Sequence, residues 1–171
     1  MPDDAEALLE RLVAGDRRAL ARALTAVENG LPEAESVLRA LPAGHGAHRI
    51  GVTGPPGAGK STLVSALVKR FRADGASVGV LAVDPTSPFT GGALLGDRVR
   101  MLEHAGDDRV FIRSLASRGA LGGLAAGIHD AADVFDVAGS DPLLIETVGD
   151  GQAEVDICRA ADTPVDEVAP G

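Results

Sequence analysis

Residues 54–61 read Gly54-Pro55-Pro56-Gly57-Ala58-Gly59-Lys60-Ser61, and this run predicts the fold. It matches the phosphate-binding loop pattern G-x-x-x-x-G-K-[ST]. The glycines leave backbone amides open to close approach by a phosphate chain, and the N-terminus of the following helix favours negative charge. We therefore expect Lys60 to reach the β- and γ-phosphates of a nucleotide and the Ser61 hydroxyl to bind Mg²⁺.

The flanking sequence supplies the strand and the helix that such a loop connects. Residues 49–53 read as a short buried strand, and the apolar residues of 61–71 recur at helical spacing. A chance match in a chain with 22 glycines would lack this context. The residues predicted to contact the nucleotide here are Gly54, Pro55, Pro56, Gly57, Ala58, Gly59, Lys60, Ser61 and Thr62.

Beyond the loop, strand-like and helix-like stretches alternate. The sequence predicts strands at 48–53, 77–83, 109–113 and 143–147, with helices near 60–73, 97–105 and 121–138. This alternation indicates an α/β fold with a mostly parallel sheet flanked by helices.

The first part of the chain is predicted to be helical throughout. Residues 5–41 carry apolar stripes, with Asp16 placed to cap a second helix and Gly30 to end it. We expect an N-terminal helical arm at 1–44 and a P-loop domain at 45–171. The stripes fit a packing collar on the main sheet, which we favour, or a docking arm for another protein.

Composition narrows the class of protein. The 171 residues include 2% aromatics and neither Trp nor Tyr, so the core is expected to be built from Leu, Val, Ile and Ala. A net charge of −9 argues against binding to nucleic acid or anionic membranes. No apolar run reaches the length of a membrane span and no signal-peptide pattern opens the chain, so a cytoplasmic location is expected. A single cysteine excludes an internal disulfide, and Cys158 is expected to be a small buried residue.

Three acidic residues fall where a nucleotide-bound metal would need them. Asp84 ends the strand predicted at 77–83, Glu146 lies near the end of the strand at 143–147, and Asp97 follows a segment rich in Gly, Pro, Ser and Thr. Ligands of open α/β sheets bind beyond the carboxyl ends of the strands, and Mg²⁺ prefers oxygen ligands. Each acidic residue alone also fits a helix cap or a turn. Gly149 lies where its amide is expected to approach a γ-phosphate.

These residues together resemble a known group of proteins. The loop and Glu146-Thr147-Val148-Gly149, an E-x-x-G, resemble the SIMIBI-class GTPases, and within them the methylmalonyl-CoA mutase-associated G proteins of the MeaB/ArgK group. The likeness covers roughly residues 8 to 163, with similar blocks at 15–24, 51–62, 83–88, 90–98, 113–119, 121–124 and 146–154.

The resemblance implies a GTPase that acts as a chaperone for an adenosylcobalamin-dependent acyl-CoA mutase, methylmalonyl-CoA mutase, by loading and protecting its cofactor. It implies GTP/GDP and Mg²⁺ as cofactors and a homodimer. By position, Lys60, Glu146 and Asp97 would be catalytic, and Gly149 would sense the γ-phosphate. The implied metal site comprises Ser61, Asp84, Asp97 and Glu146.

The sequence departs from the group's pattern in its last part. It contains no guanine-reading N-K-x-D motif, so the preference for GTP over ATP rests on the resemblance. We expect the fold to be incomplete at the C-terminus and to lack the dimerisation segment. Pro164, Asp166 and Glu167 are unfavourable in a buried strand.

Three alternatives stay open at this point. The first is a truncated nucleotide-binding remnant with little or no hydrolysis. The second is a P-loop ATPase or kinase-like protein, and the third is a metallochaperone GTPase of the same class. The scattered histidines and lone cysteine speak against the last, and the E-x-x-G block speaks against a kinase.

Overall fold

Within the residues that the structure describes, five parallel strands form a single sheet. In the computed structural model they are β1 (Arg49–Thr53), β2 (Val78–Asp84), β3 (Val110–Ala116), β4 (Leu143–Thr147) and β5 (Thr163–Asp166), arranged in the order β3-β2-β4-β1-β5. The structure describes residues 2–42, 46–84, 102–104, 106–116, 123–147 and 151–168.

Helices precede the sheet and connect its strands. They are α1 (Pro2–Val13), α2 (Arg17–Asn29), α3 (Pro32–Ala40), α4 (Lys60–Ala73), α5 (Leu124–Val137) and α6 (Gly151–Ala160), with a 3₁₀ turn at Leu102–His104. The predicted α/β class, a parallel sheet flanked by helices, is confirmed. Of the helix predicted at 97–105, residues 97–101 and 105 lie outside the described ranges, and the remainder is the 3₁₀ turn.

The strands present different residues to the two faces of the sheet. Leu81, Val83, Leu143 and Ile145 pack on one face with α1, α2, α3, α5 and α6. Val52, Val80 and Leu144 pack on the other face with Val64 and Val68 of α4. Neighbouring residues along a strand point to opposite faces, so each strand supplies apolar side chains to both. Helices cover both faces, as is usual for a parallel sheet.

Two strand glycines allow helices to approach the sheet closely. A Cβ on Gly51 would lie 2.8 Å from a methyl carbon of Ile157 in α6, and a Cβ on Gly79 would lie 2.8 Å from the ring of Phe135 in α5. Real Cβ atoms do not come this close, so α5 and α6 can pack at these distances only because both strand positions are glycine.

The N-terminal helices are capped as the sequence predicts. The Asp16 carboxylate accepts hydrogen bonds from the amides of Arg18, at 2.7 Å, and Ala19, at 3.3 Å, and Gly30 ends α2 with a φ of 59°. Most residues of the predicted stripes are buried in the same core cluster as α5, among them Leu8, Leu12, Leu20, Leu24 and Val27. Val13, at the end of the first stripe, is 51% exposed. The division into an arm and a P-loop domain stays a prediction.

The last strand and the cysteine differ from expectation. Residues 163–166 do pair with β1, but as an edge strand that is largely exposed. Glu167 donates its amide to the Thr53 carbonyl at 3.0 Å, and Pro164 lies in a strand at the edge of the sheet, where a proline is tolerated. Cys158 lies on the outer face of α6 and is exposed, so the prediction that it is buried is wrong.

None of the helices in the ranges described above combines the length and apolarity that crossing a membrane would take.

Candidate phosphate-binding site

The loop between β1 and α4 has a backbone that favours glycine at three positions. Gly54, Gly57 and Gly59 have φ angles of 130°, 79° and 112°, in the region that L side chains rarely adopt. The amide of Ala58 donates to the Pro55 carbonyl at 3.2 Å and closes a tight turn. This turn leads from the end of β1 directly into the first residue of α4.

The N-cap residue of α4 is a glycine, so no side chain accepts hydrogen bonds from the amides of the first turn. Gly59 occupies the N-cap position, where Ser, Thr, Asp or Asn would accept a hydrogen bond from the first turn. No acidic residue lies in that turn. The helix dipole and the amides of the first turn therefore favour an anion supplied from outside the helix.

The side chain of Lys60 folds back so that its ammonium group contacts the start of the loop. Its side chain is buried, with 7% of the residue exposed, and Nζ donates to the carbonyl oxygens of Gly54 at 2.7 Å and Pro55 at 3.0 Å. A buried ammonium group needs such partners to offset its lost hydration. The positive charge therefore lies against the same loop whose amides favour an anion.

The end of β4 lies beside the end of β1. Glu146 pairs with Val52 of β1 on one side and with Ala82 of β2 on the other, and it is 2% exposed. Ser61, in the first turn of α4, is partly exposed. The parallel register thus puts a buried carboxylate in the strand next to the phosphate-binding loop.

The oxygen donors at this edge are of the kind that Mg²⁺ prefers. A carboxylate on β4 and a hydroxyl on the first turn of α4 both lie at the carboxyl ends of the strands, and the backbone of Asp84 ends the neighbouring β2. The side chain of Asp84 and all of Asp97 and Gly149 lie outside what the structure describes. Within the described ranges, no three residues among His, Cys, Asp and Glu come together in a way that could hold a metal.

Glu167, a residue type that is unfavourable in a buried strand, lies against the loop. The backbone of Glu167 follows β5 past the end of β1, and its carboxylate oxygens are each 3.7 Å from the position that a Cβ on Gly59 would take. The contact joins residues more than one hundred positions apart in the sequence, so no local pattern signals it.

A second polar cluster, also missed, ties the 3₁₀ turn to α4. Ser65 donates to Glu103 and lies 2.9 Å from Nε2 of His104, which donates to the serine oxygen, and Lys69 forms an ion pair with Glu103 at 2.8 Å. Hydrogen bonds from Lys69 and Ser65 hold the pKa of Glu103 below its ordinary value. The cluster anchors a turn that lies between two stretches outside the described ranges.

Comparison with known proteins identifies the family. The family model described as methylmalonyl Co-A mutase-associated GTPase MeaB matches residues 20–171. The chain belongs to the MeaB family. This confirms the resemblance drawn from the loop and the E-x-x-G block.

Individual members of the MeaB family agree with the assignment. A protein of Pyrococcus abyssi is 56% identical over 165 residues, which cover 96% of this chain and 51% of that protein. The GTPase ArgK of Escherichia coli is 40% identical, and the match covers 90% of this chain and 48% of ArgK. The crystal structure of a LAO/AO transport system kinase matches with a TM-score of 0.75 and 32% identity, covering 95% of this chain and 49% of that one.

One relative carries the name of a mutase. The fused isobutyryl-CoA mutase of Cupriavidus metallidurans is 41% identical over 161 residues, which cover 90% of this chain and 14% of the fused protein. The chain spans about half the length of ArgK and of the Pyrococcus protein.

Proposed function

We propose that this chain binds GTP with Mg²⁺ at the loop of residues 54–61 and belongs to a GTPase that hydrolyses it. The observation that carries the proposal is the loop itself: three glycines with positive φ lead into a helix whose N-cap contributes no side chain. A phosphate group would satisfy those amides and the helix dipole together. GTP rather than ATP is proposed because the relatives are named GTPases.

The residues of the loop and of the neighbouring strand ends have distinct proposed roles. The amides of Gly54, Gly57, Ala58, Gly59 and Thr62 would donate to the phosphates, with Pro55 and Pro56 shaping the turn, and Lys60 would exchange its loop carbonyls for phosphate oxygens. The Ser61 hydroxyl would bind Mg²⁺, which neutralises the charge that develops on the transferred phosphate. Asp84, Asp97 and Glu146 would hold the metal or its waters and orient the attacking water, and Gly149 would sense the γ-phosphate.

The proposed partner is an adenosylcobalamin-dependent acyl-CoA mutase, with methylmalonyl-CoA mutase as the first choice. The name of the family and the fused isobutyryl-CoA mutase relative both support it. In this role the GTPase would act as a chaperone that controls loading and protection of the mutase cofactor. A cytoplasmic location belongs to the same proposal.

A second candidate is a nucleotide-binding module with little or no turnover. It is favoured by the hydrogen bonds of Lys60, because the ammonium group is already engaged with two carbonyl oxygens of its own loop. Hydrolysis would then depend on how readily a phosphate replaces those oxygens.

Binding of fluorescent GTP and ATP analogues in the presence and absence of Mg²⁺ tests the nucleotide site. The chain has lysine only at 60 and 69, so Lys69→Ala on the exposed face of α4 is a matched control for Lys60→Ala. We expect GTP-preferring, Mg²⁺-dependent binding that Lys60→Ala abolishes and Lys69→Ala retains. Equal binding of both analogues would indicate a site that reads phosphate alone, and phosphate release measured in the same samples separates a GTPase from the binding module.

The mutase proposal needs its own experiment. The chain is mixed with purified adenosylcobalamin-dependent methylmalonyl-CoA mutase in GDP or a non-hydrolysable GTP analogue, and complex formation is followed by analytical ultracentrifugation. Nucleotide-dependent association supports the chaperone role. Failure to associate in either nucleotide state would contradict it for this chain and leave the nucleotide site to be judged separately.

A further inference from the structure

Glu167 is held at the rim of the phosphate-binding loop by its backbone. Its amide donates to the Thr53 carbonyl at 3.0 Å, which continues the pairing with β1 by one residue beyond the end of β5. The pairing places Glu167 level with Gly54, the first residue of the loop. The position of Glu167 is therefore fixed by the sheet and not by its side chain alone.

The residue contacts the loop at both of its ends. The Glu167 carbonyl oxygen lies closer than 3.0 Å to the position that a Cβ on Gly54 would take, and the Cβ of Glu167 lies 3.2 Å from it. At the other end, both carboxylate oxygens lie 3.7 Å from the corresponding position on Gly59. Glu167 thus spans the loop from its first glycine to the N-cap of α4.

The Glu167 carboxylate lies where negative charge is favoured, but one of its oxygens lacks a hydrogen bond among the described residues. The Gly59 cap leaves the dipole and amides of α4 without an acidic side chain from the helix itself. Oε2 of Glu167 is buried, and among the described residues it has no hydrogen-bond partner. An unsatisfied buried oxygen is costly, so a group that can fill the loop and accept its amides would displace this carboxylate.

We propose that Glu167 is an internal competitor for the phosphate site. This inference rests on the proposed nucleotide binding at the same loop. A nucleotide phosphate and the Glu167 carboxylate carry like charges and use the same helix N-terminus, so Glu167 moves away when the nucleotide binds. Glu167 directly follows β5, an edge strand of four residues, so movement of its carboxylate is expected to be felt at the end of that strand. Occupancy of the loop by a nucleotide and docking of the Glu167 carboxylate on it are therefore opposed.

Glu167→Gln tests the proposal because it removes the charge and keeps the shape of the side chain. We expect the variant to bind a fluorescent GTP analogue with Mg²⁺ about fivefold to tenfold more tightly than the unaltered chain, the size expected for a nearby like charge at a partly hydrated site. Glu10→Gln, at an exposed position of α1, changes the net charge equally and is expected to leave affinity unaltered. Unchanged or weaker binding by Glu167→Gln would overturn the proposal.

The outcomes separate this inference from the proposed function. Binding by the unaltered chain that Lys60→Ala abolishes and Glu167→Gln leaves unchanged contradicts the internal competitor alone. Binding by Glu167→Gln in the absence of binding by the unaltered chain supports both. No binding by either, in samples folded by circular dichroism, contradicts both.

A direct readout of the movement comes from the residue that follows. The chain contains no tryptophan, and Val168 is 81% exposed, so Val168→Trp introduces a single reporter without burying it. We expect saturating unlabelled GTP with Mg²⁺ to shift its emission, and we expect no shift when Lys60→Ala is added. Emission that stays constant while a separate assay shows the site to be saturated would mean that Glu167 stays in place, contrary to the proposal.

Discussion

The ammonium nitrogen of Lys60 lies 2.7 Å from the carbonyl oxygen of Gly54, so the lysine of the loop motif is hydrogen-bonded to the first residue of that motif. The lysine thus crosses its own loop, and a second bond to Pro55 at 3.0 Å holds it there. One side chain therefore shapes the loop and supplies the charge that a phosphate would meet.

Lys60→Ala is expected to affect stability as well as nucleotide binding. Removing the ammonium leaves the buried Gly54 carbonyl without this donor, which costs about 1 kcal/mol in the free energy of unfolding. Urea unfolding followed by far-UV circular dichroism measures it. Lys69→Ala, whose ion pair with Glu103 is largely exposed, is expected to change stability by less than about 0.5 kcal/mol. Equal costs at both positions would contradict a structural role of Lys60 in the loop.

Gly54→Ala is expected to destabilise the protein by about 2–5 kcal/mol. The backbone at this position has a positive φ that alanine rarely adopts, and the added Cβ would clash with the backbone of Glu167. Gly57→Ala is the matched control: it also has positive φ, but the space around its Cβ is open. That variant is expected to cost about 1–2 kcal/mol. Urea midpoints of the two variants make the comparison, and a larger cost at Gly57 would be inconsistent with the packing of Glu167 over the loop.

Asp16→Ala is expected to lower the thermal midpoint and to flatten its dependence on acid pH. Hydrogen bonds from Arg11 and then from the amides of Arg18 and Ala19 lower the pKa of Asp16 in the folded state. A lowered pKa stabilises the fold above the pKa of the unfolded chain, and this stabilisation is lost as pH falls through the folded value.

Thermal midpoints measured from pH 7 down to pH 3 test the role of Asp16. The difference between the unaltered chain and Asp16→Ala should be largest near neutral pH and should shrink in acid. A difference that stays constant across this range would show that the charge of Asp16 plays no part in the cap.

Asp130→Asn is expected to have the opposite effect on stability. Burial, and next the charge of Asp133, raise the pKa of Asp130, which lines a cavity of about 670 Å³ between α5 and the turn joining α2 to α3. A raised folded pKa means that the group destabilises the fold as pH rises from the unfolded value to the folded one.

Replacing Asp130 by asparagine should therefore raise the thermal midpoint at pH 7 and leave it nearly unchanged at about pH 3, where the carboxyl is mostly protonated in both states. Glu10→Gln serves as the exposed control, with no gain expected at either pH. A gain of equal size at both pH values would assign the effect to packing in the cavity and not to charge.

The features that could be predicted from the sequence are those set by residues close together in the chain. The helix caps at Asp16 and Gly30 and the strand-loop-helix order around Lys60 depend on neighbours within a few residues, so local patterns identify them. A rule about strand ends predicts that Glu146 lies at the same end of the sheet as the loop, and Glu146 pairs with Val52 in the strand register. Its role in the site stays a prediction. These features need only the order of elements along the chain.

Contacts between distant segments could not be found in this way. Glu167 reaches Gly54, and Ser65 reaches His104, only after the sheet and α4 have formed. The exposure of Cys158 depends on which side of α6 faces the sheet, and the tolerance of Pro164 depends on its strand being at an edge. Each of these requires the tertiary arrangement and not the pattern of residue types alone.

Gly51 and Gly79 set a limit on how this protein can be improved by design. Valine or isoleucine at either position would be the obvious choice for a stronger strand, since glycine in a strand interior weakens it. Yet the added carbons would push α6 away from β1 or α5 away from β2, beside the strands that carry the loop and its carboxylates. A library intended to raise the melting temperature should therefore hold both glycines constant and vary the exposed faces of the helices instead.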